Sequence, residues 1–190
     1  FIASLAPFSY IRGTAPITGT VKSENFSFFR VQFGPGLNPT QWTQIGGDRG
    51  EQIENGDLQV WDTAGLNGLY SVQLLVVKND QTFANHTVQV TVDNTPPTAK
   101  LATPAEGQQF TLGEDESVIV QPDAADNLSL AYVEIFVDEE KVETSTVAPF
   151  TFRWTLRGAL AGQHFIYVRA VDAAGNSVES GRVVVTVQER

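Results

Sequence analysis

The acidic and amide side chains in two parts of the sequence are of the types that bind calcium. Ca²⁺ takes about six to eight oxygen ligands, which carboxylates, side-chain amides and backbone carbonyls supply. Two sets of residues offer such oxygens, namely Asp93, Asn94, Asp172 and Asn176, and separately Asp123, Asp126 and Asn127. Because Asp and Asn in turns also bond to their own backbone, turn formation is the alternative interpretation of both sets. Calcium is the one cofactor that the sequence leaves open.

Trp42 is the aromatic residue best placed to recognise a ligand. It ends a turn-rich stretch, residues 33–42, that contains two glycines and two prolines. Loops carry binding residues more often than strands do. An exposed Trp42 beside Tyr10 or Phe28 would form a platform on which a sugar ring can stack. The alternative is that Trp42 packs inward and pins the loop to the rest of the domain.

No combination of nucleophile and base indicates an enzyme. The chain has no cysteine and two histidines, His86 and His164, without partners at the spacing of a zinc site. The sequence also lacks a Gly-x-Ser-x-Gly motif and the Ser-x-x-Lys and Lys-Thr-Gly pair of a transpeptidase. We therefore predict no catalytic residues in this chain.

The strong negative charge argues against nucleic acid as a partner. With a net charge of −10 and a pI near 4.5, the chain is repelled by phosphate backbones and by anionic membrane surfaces. No apolar run approaches the roughly 20 residues that span a bilayer, so we expect no membrane insertion. The chain begins at Phe1 without a recognisable signal peptide, and we interpret it as an excised or processed part of a longer protein.

Short strand signals separated by turn residues dominate the sequence. Runs rich in Val, Ile, Thr, Phe and Tyr predict strands over residues 26–33, 70–78, 87–92, 130–138, 150–156, 165–171 and 182–188. No window has a convincing helical period. The acidic stretches at 113–117 and 123–127 are predicted to be a turn and a loop. This pattern predicts an all-β fold of the sandwich or barrel type.

One supersecondary plan occurs twice in the chain. In each half a tryptophan, Trp61 or Trp154, is followed by a glycine, an alternating strand and a final strand rich in Val and Thr. Such a repeat indicates two copies of one fold in series, and about 100 residues suit one immunoglobulin-like sandwich. We predict two consecutive immunoglobulin-like (fibronectin III-like) antiparallel β-sandwich domains, over residues 1–95, with the Gly/Pro loop as an insertion, and 96–190. The matching tryptophans are expected to fill the two cores.

Pro96 and Pro97 mark the predicted boundary between the two domains. Consecutive prolines fix φ and cannot donate to a strand ladder, so a strand cannot continue through them. They also favour an extended backbone. We therefore predict a short, semi-rigid connection.

Four segments within or at the start of the second domain form a recognisable pattern, namely residues 93–97 (DNTPP), 104–107 (PAEG), 132–138 (YVEIFVD) and 170–176 (AVDAAGN). Together they resemble bacterial Ig-like domains, and the resemblance covers all of that domain. Bacterial Ig-like domains are common in multi-domain surface proteins. The resemblance therefore implies an extracytoplasmic location at the cell surface, with the other domains of the parent chain as partners.

Three segments of the first domain form a narrower pattern, namely residues 17–21 (ITGTV), 33–42 (FGPGLNPTQW) and 55–63 (NGDLQVWDT). They resemble modules at the C-terminal end of some class A penicillin-binding proteins. It implies an accessory region of an enzyme that combines a peptidoglycan glycosyltransferase with a transpeptidase. Neither of those catalytic domains is present in this chain.

Three functions follow as hypotheses. The first is a non-catalytic structural and interaction module of a peptidoglycan-synthesising penicillin-binding protein, which spaces or orients the catalytic domains. The second is a module that binds cell-wall glycan through Trp42, Tyr10 and Phe28. The third is a calcium-stiffened, adhesin-type stalk of a surface protein. Besides the parent chain, the expected partners are a cell-wall glycan or another protein.

Overall fold

The computed structural model describes residues 1–190 and contains two compact units, Phe1–Asn94 and Thr95–Arg190. Every regular element is a β-strand, and the structure contains no helix that could cross a membrane. Each unit is an antiparallel β-sandwich with its own hydrophobic core. The chain is therefore all-β, with two consecutive immunoglobulin-like sandwiches, as the strand pattern predicts.

The first unit contains seven strands in two sheets. They are β1 (Tyr10–Ile11), β2 (Thr14–Val21), β3 (Phe26–Pro35), β4 (Thr43–Arg49), β5 (Ile53–Asp62), β6 (Gly68–Lys78) and β7 (Phe83–Val92). The larger sheet has the order β1-β7-β6-β3-β4, and β2 pairs with β5 in the smaller sheet. All pairings are antiparallel except that of β1 with β7, which is parallel.

The second unit contains nine strands. They are β8 (Thr98–Thr103), β9 (Gln109–Thr111), β10 (Ser117–Ala125), β11 (Leu130–Val137), β12 (Glu140–Ser145), β13 (Phe152–Thr155), β14 (Gly162–Asp172), β15 (Ser177–Glu179) and β16 (Val183–Gln188). One sheet has the order β13-β10-β8 and the other the order β12-β11-β14-β16-β9, with β15 paired to β14. The short β9 runs parallel to the last strand, β16.

Seven strands of each unit share one arrangement, which is the structural basis of the sequence repeat, and the second unit adds β8 and β15. The sheet order β1-β7-β6-β3-β4 corresponds to β9-β16-β14-β11-β12, and the pair β2-β5 corresponds to β10-β13. The matching tryptophans occupy corresponding places, because Trp61 on β5 lies opposite Ala15 and Trp154 on β13 lies opposite Val118.

The core of the first unit is built from alternating residues of the facing sheets. Phe29, Val31 and Val72 are fully buried from the larger sheet. Trp61 is 2% exposed and packs against Phe33 with ring centroids 4.9 Å apart, which confirms its predicted place in the core. Large aromatic groups buried in this way dominate the apolar area that a small sandwich removes from water.

The core of the second unit differs at the matching tryptophan. Phe152 on β13 is 1% exposed, whereas Trp154 is half-buried and packs at the margin of the core. The Trp154 ring meets the His164 imidazole edge-on, with centroids 4.9 Å apart. The prediction that both tryptophans fill the cores therefore holds fully for the first unit and only in part for the second.

All seven predicted strands are present, but the predicted loop over residues 123–127 begins only at Asp126, so the prediction was wrong for residues 123–125. Strand β10 continues to Ala125, and Asp123 lies directly opposite Lys100 of β8. Their side chains form an ion pair 3.1 Å long. A cross-strand ion pair on a solvent-facing edge allows a charged residue to occupy a strand.

Candidate functional site

The outer face of the larger sheet in the first unit carries a row of hydrogen-bonded polar side chains. Inward-facing residues of β3, β6 and β7 form the core, so the alternate residues face outward. Gln32, Gln73 and Thr87 lie side by side in the strand register. The Gln32 Nε2 donates to Gln73 Oε1 at 2.8 Å, and Gln73 Nε2 donates to Thr87 Oγ1 at 3.3 Å. This chain of bonds fixes the orientation of the central amide.

The Gly/Pro loop between β3 and β4 folds over one end of this row. The Gly36 amide donates to the Leu69 carbonyl at 2.8 Å. The Ser71 hydroxyl lies 2.8 Å from the carbonyl oxygen of Gly36 and 3.0 Å from that of Leu37, and it donates to this pair. Ser71 is fully buried beneath the loop. The loop is therefore anchored to β6 through backbone and side-chain bonds.

Gly34 allows the loop to approach the sheet closely. A Cβ atom at this position would fall 2.5 Å from the Gln41 carbonyl oxygen and would also collide with the Pro39 ring. Any side chain would therefore displace the loop. The glycines and prolines of this segment thus have a packing role as well as a turn-forming one.

The loop and the polar row enclose a shallow cleft of about 280 Å³. Its lining residues are Leu37, Asn38, Pro39, Trp42, Gln73, Thr87 and Gln89. Trp42 is half-buried, so one part of its ring packs on the protein and another part is accessible. The two interpretations of Trp42, loop anchor and binding residue, are therefore compatible.

Tyr10 and Phe28, the other two predicted aromatic residues, lie on the same outer face. Tyr10 of β1 pairs with Thr91 of β7, and Phe28 of β3 pairs with Val77 of β6. Both are half-buried. Val77 is four residues along β6 from Gln73, about 13 Å, and Thr91 is two residues along β7 from Gln89, about 7 Å. The three aromatic residues therefore share a face but do not touch one another at a single point.

The charged groups beside the cleft neutralise each other. Arg30 forms two hydrogen bonds of 2.8 Å with Asp48, and its guanidinium lies 5.9 Å from the centroid of the Phe28 ring. The hydrogen bond from Arg30 lowers the pKa of Asp48 below its usual value. Asp48 therefore stays ionised and paired, and it presents no free charge to a ligand in the cleft.

The acidic residues of the second unit are partly used in turns. Asp126 Oδ2 accepts from the amides of Leu128 and Ser129, both at 2.8 Å, as expected for turn formation. Its buried Oδ1 has no hydrogen-bond partner. A carboxylate oxygen of Asp126 and one of Asp172 lie within 4.8 Å of each other.

Asp172 also holds the loop that follows it. Its oxygens accept from the backbone amide of Asn176 at 2.8 Å and from Asn176 Nδ2 at 2.7 Å. Asp172 and Asn176 are both buried. Asp123, another calcium candidate of this unit, pairs with Lys100 on the sheet surface instead.

The calcium candidates of the first unit, Asp93 and Asn94, lie just after β7. Asn94 Oδ1 accepts from the Gly13 amide at 2.7 Å, and its Nδ2 donates to the carbonyl oxygens of Thr63 and Leu66. Asn94 therefore ties together loops of its own unit. Asp93 is fully buried, and its amide donates to the Ile11 carbonyl at 2.9 Å.

A histidine–carboxylate pair at one end of the second unit escaped the sequence analysis. His164 Nδ1 lies 2.6 Å from Asp138 Oδ2, and His164 Nε2 lies 2.8 Å from the Leu160 carbonyl oxygen. His164 begins no recognisable motif, and 26 residues separate it from Asp138. No nucleophile hydrogen-bonds to the ring, because both nitrogens already face other acceptors.

Comparison with known proteins gives one family match, and it lies in the second unit. Residues 97–168 match the family described as "Bacterial Ig domain", so this unit is similar to bacterial Ig-like modules. The chain has no significant match among curated proteins.

Solved structures support the fold of the whole chain. It is similar to the fibronectin(III)-like modules of CbhA from Clostridium thermocellum, with a TM-score of 0.60 and 22% identity over 100% of this chain and 94% of that one. It is also similar to murine CEACAM1b, with a TM-score of 0.50 and 11% identity over 98% of each chain. At these identities the similarity establishes the tandem sandwich architecture.

Proposed function

We propose that this chain is a non-catalytic structural and interaction module of a larger extracytoplasmic protein. The observation that carries the proposal is the repetition of one complete sandwich, each copy with its own core and the same strand order. Such units bury their apolar residues without help from another domain, which suits a spacer between functional parts. The match to a bacterial Ig domain supports a place in a secreted or surface-exposed protein.

The parent protein that we propose is a peptidoglycan-synthesising penicillin-binding protein. The proposal rests on the resemblance of residues 17–21, 33–42 and 55–63 to the accessory modules of such enzymes. These segments belong to β2, to the anchored Gly/Pro loop and to β5, the strand that carries Trp61. They are structural parts of the first unit, so their resemblance concerns the architecture of the module. In the parent enzyme, the module would space or orient the glycosyltransferase and transpeptidase domains.

The domain composition of the parent gene tests the choice of parent protein. We expect glycosyltransferase and transpeptidase domains upstream of these two units. A parent gene without them would exclude the penicillin-binding protein and leave only the general module.

Deletion of residues 1–190 from the parent enzyme tests the structural role. We expect the glycosyltransferase and transpeptidase rates on soluble substrate to stay within about twofold of those of the intact enzyme. We expect incorporation of new peptidoglycan into the wall of living cells to fall. A loss of the soluble rates would show that the module belongs to the catalytic machinery and would contradict the proposal.

Calcium binding stays a prediction for the acidic residues of the second unit. The observation that favours it is the pair Asp126 and Asp172, with one buried Asp126 oxygen left without a hydrogen bond. Carboxylate oxygens are preferred calcium ligands, and a bound cation would satisfy that oxygen. If calcium binds there, it would stabilise the module as part of a surface stalk.

A further inference from the structure

We propose that the cleft between the Gly/Pro loop and strands β6 and β7 binds a neutral glycan chain, with Trp42 as the surface on which a sugar ring stacks. The cleft lies on the outer face of the larger sheet of the first unit. The proposal goes beyond the structural role of the module and does not depend on which protein carries the module.

The two walls of the cleft match the two kinds of surface that a pyranose ring presents. A pyranose has an apolar face of C–H groups and a rim of hydroxyl groups. Leu37, Pro39 and Trp42 form an apolar wall, and Gln73, Thr87 and Gln89 form a floor of amides and a hydroxyl. Four of the seven lining residues are polar and three are apolar, so hydrogen-bonding groups form the larger part of the cleft.

The absence of ionic groups from the lining favours a neutral ligand. None of the seven lining residues carries a formal charge, although the whole chain has a net charge of −10. The nearby Arg30 and Asp48 are paired with each other. A phosphorylated, sulfated or otherwise anionic ligand would find no cation in the cleft and would be repelled by the chain as a whole. A basic peptide would find no carboxylate there.

Contacts within the protein hold the loop that forms one wall of the cleft. The buried Ser71 hydroxyl and the Gly36 amide hold the loop on β6, and the close approach at Gly34 fixes its distance from the sheet. The position of Trp42 at the end of this loop is therefore set before binding. A pre-organised site loses less conformational entropy when the ligand binds.

Hydrogen-bonding groups of the cleft remain available to a ligand. The side-chain amide of Gln89 and the indole N–H of Trp42 make no hydrogen bond within the protein and are not sealed from solvent. The Gln73 amide is held in one orientation by Gln32 and Thr87. Free donors beside a fixed amide suit the hydroxyl and acetamide groups of a sugar.

Titration calorimetry of the full 190-residue chain with chitohexaose, and separately with cellohexaose, tests the proposal. We expect saturable binding of at least one of these neutral hexasaccharides. A heparin hexasaccharide should bind at least tenfold more weakly. Absence of saturable binding by both neutral probes at millimolar concentration, or equal binding of heparin, would overturn the proposal.

Three variants locate the site on the protein. Trp42→Ala should weaken binding at least tenfold, because it removes the stacking surface. Gln89→Ala should weaken it severalfold and leaves the anchored loop untouched, so it remains informative if Trp42→Ala disturbs the fold. Phe83→Ala is the matched control, because Phe83 is an exposed aromatic residue that lies on β7, as Gln89 does, but away from the cleft. Retained affinity in both Trp42→Ala and Gln89→Ala would exclude this cleft.

Discussion

His164 and Asp138 form an ion pair that requires the histidine to carry two protons. Its Nδ1 faces the Asp138 carboxylate at 2.6 Å and its Nε2 faces the Leu160 carbonyl oxygen at 2.8 Å. Both partners are acceptors, so only the doubly protonated imidazolium donates to both. Burial lowers the pKa of His164, but the hydrogen bonds to Asp138 and Leu160 outweigh it and raise the pKa above its usual value.

The first prediction concerns the pH dependence of stability. A raised pKa means that the folded state binds more protons than the unfolded state, so the stability contributed by His164 decreases as the pH rises. This contribution is fully present below about pH 6.5, the pKa of histidine in the unfolded chain. It is lost as the pH rises through the higher pKa that His164 has in the folded state. Urea denaturation from about pH 5.5 to 8.5 measures the free energy of unfolding. The part of its decrease with pH that comes from His164 should be absent in His164→Gln. His86→Gln is the control.

His86 should respond in the opposite sense. Burial, followed by the charge of the N-terminal amine, lowers the pKa of His86. Its replacement should therefore add stability below about pH 6.5 and change little above it. An unchanged pH slope in His164→Gln would contradict the ion-pair interpretation.

The second prediction concerns the buried carboxylate of Glu134, whose side chain is 6% exposed. Burial raises the pKa of Glu134, but hydrogen bonds from Arg169 and Lys141 overcome this and lower it. Arg169→Met should cost on the order of 3 kcal/mol at pH 7, because it leaves a buried charge with only Lys141. The cost should shrink near pH 4, where the carboxylate of the variant can be protonated.

Urea denaturation at both pH values measures the effect of Arg169→Met. Arg182→Met is the matched control, because Arg182 forms an ion pair with Glu139 in which both side chains are about half exposed. Exposed pairs contribute at most about 1 kcal/mol. Equal costs for the two variants would show that the burial of Glu134 has no energetic consequence.

The third prediction concerns the anchored Gly/Pro loop. Gly34→Ala should displace the loop, because the added methyl group would collide with the Gln41 carbonyl and the Pro39 ring. We expect a loss of about 1–3 kcal/mol and easier quenching of tryptophan fluorescence by acrylamide. Gly47→Ala on β4 should change neither the stability nor the quenching, because a Cβ atom at Gly47 would meet nothing within 4 Å. Normal stability of Gly34→Ala would show that the close approach is dispensable.

The fourth prediction separates the two matching tryptophans. Trp61→Ala should cost about 3–5 kcal/mol, as expected for a large aromatic group removed from a core. Trp154→Ala should cost only on the order of 1–2 kcal/mol, because Trp154 is half-buried. Thermal unfolding followed by circular dichroism measures both. Trp61→Phe should be milder than Trp61→Ala, since it keeps most of the ring and removes a buried N–H that has no partner.

The fifth prediction concerns calcium. A ligand that binds only the folded state raises its stability, by about 2.7 kcal/mol at a concentration 100 times its Kd. The melting temperature should therefore rise in millimolar CaCl₂ relative to EDTA, and Asp126→Asn should abolish the rise. Asp123→Asn should preserve it, because Asp123 pairs with Lys100 on the sheet surface. A melting temperature that does not respond to calcium would end this hypothesis.

The sequence predicted the strands whose residues alternate between apolar and polar. Strands such as β6 and β7 show that alternation because one face packs on the core. Strand β12 has the sequence EKVETS and is almost wholly exposed, so no hydrophobic period identifies it. It is defined by its pairing with β11, which only the folded chain shows. Strand β5 contains Asn55, which has a positive φ of 48° at a register shift in the pairing with β2, so its turn propensity is accommodated as an irregularity within the strand.

The candidate cleft was predictable only in part. Turn composition pointed to Trp42 and its loop, because Gly and Pro have local conformational effects. The polar floor could not be predicted, since Gln32, Gln73 and Thr87 are brought together by strand register across 41 and 14 residues. The contact between His164 and Asp138 depends on register in the same way. The penicillin-binding protein resemblance remains a proposal, because fold similarity does not identify a parent protein.

The last strand of each unit pairs in parallel with a strand near the start of that unit, and this pairing has a mechanical consequence. In the first unit, the segment around β1 is bonded to β7 through Phe8 to Gln89, Thr91 to Ser9 and Asp93 to Ile11. Because these strands run parallel, a pull on the two ends of the unit slides them past each other and loads these bonds together. Strands β9 and β16 are joined in the same way. Each sandwich is therefore arranged to resist stretching in shear, where several bonds must break at once.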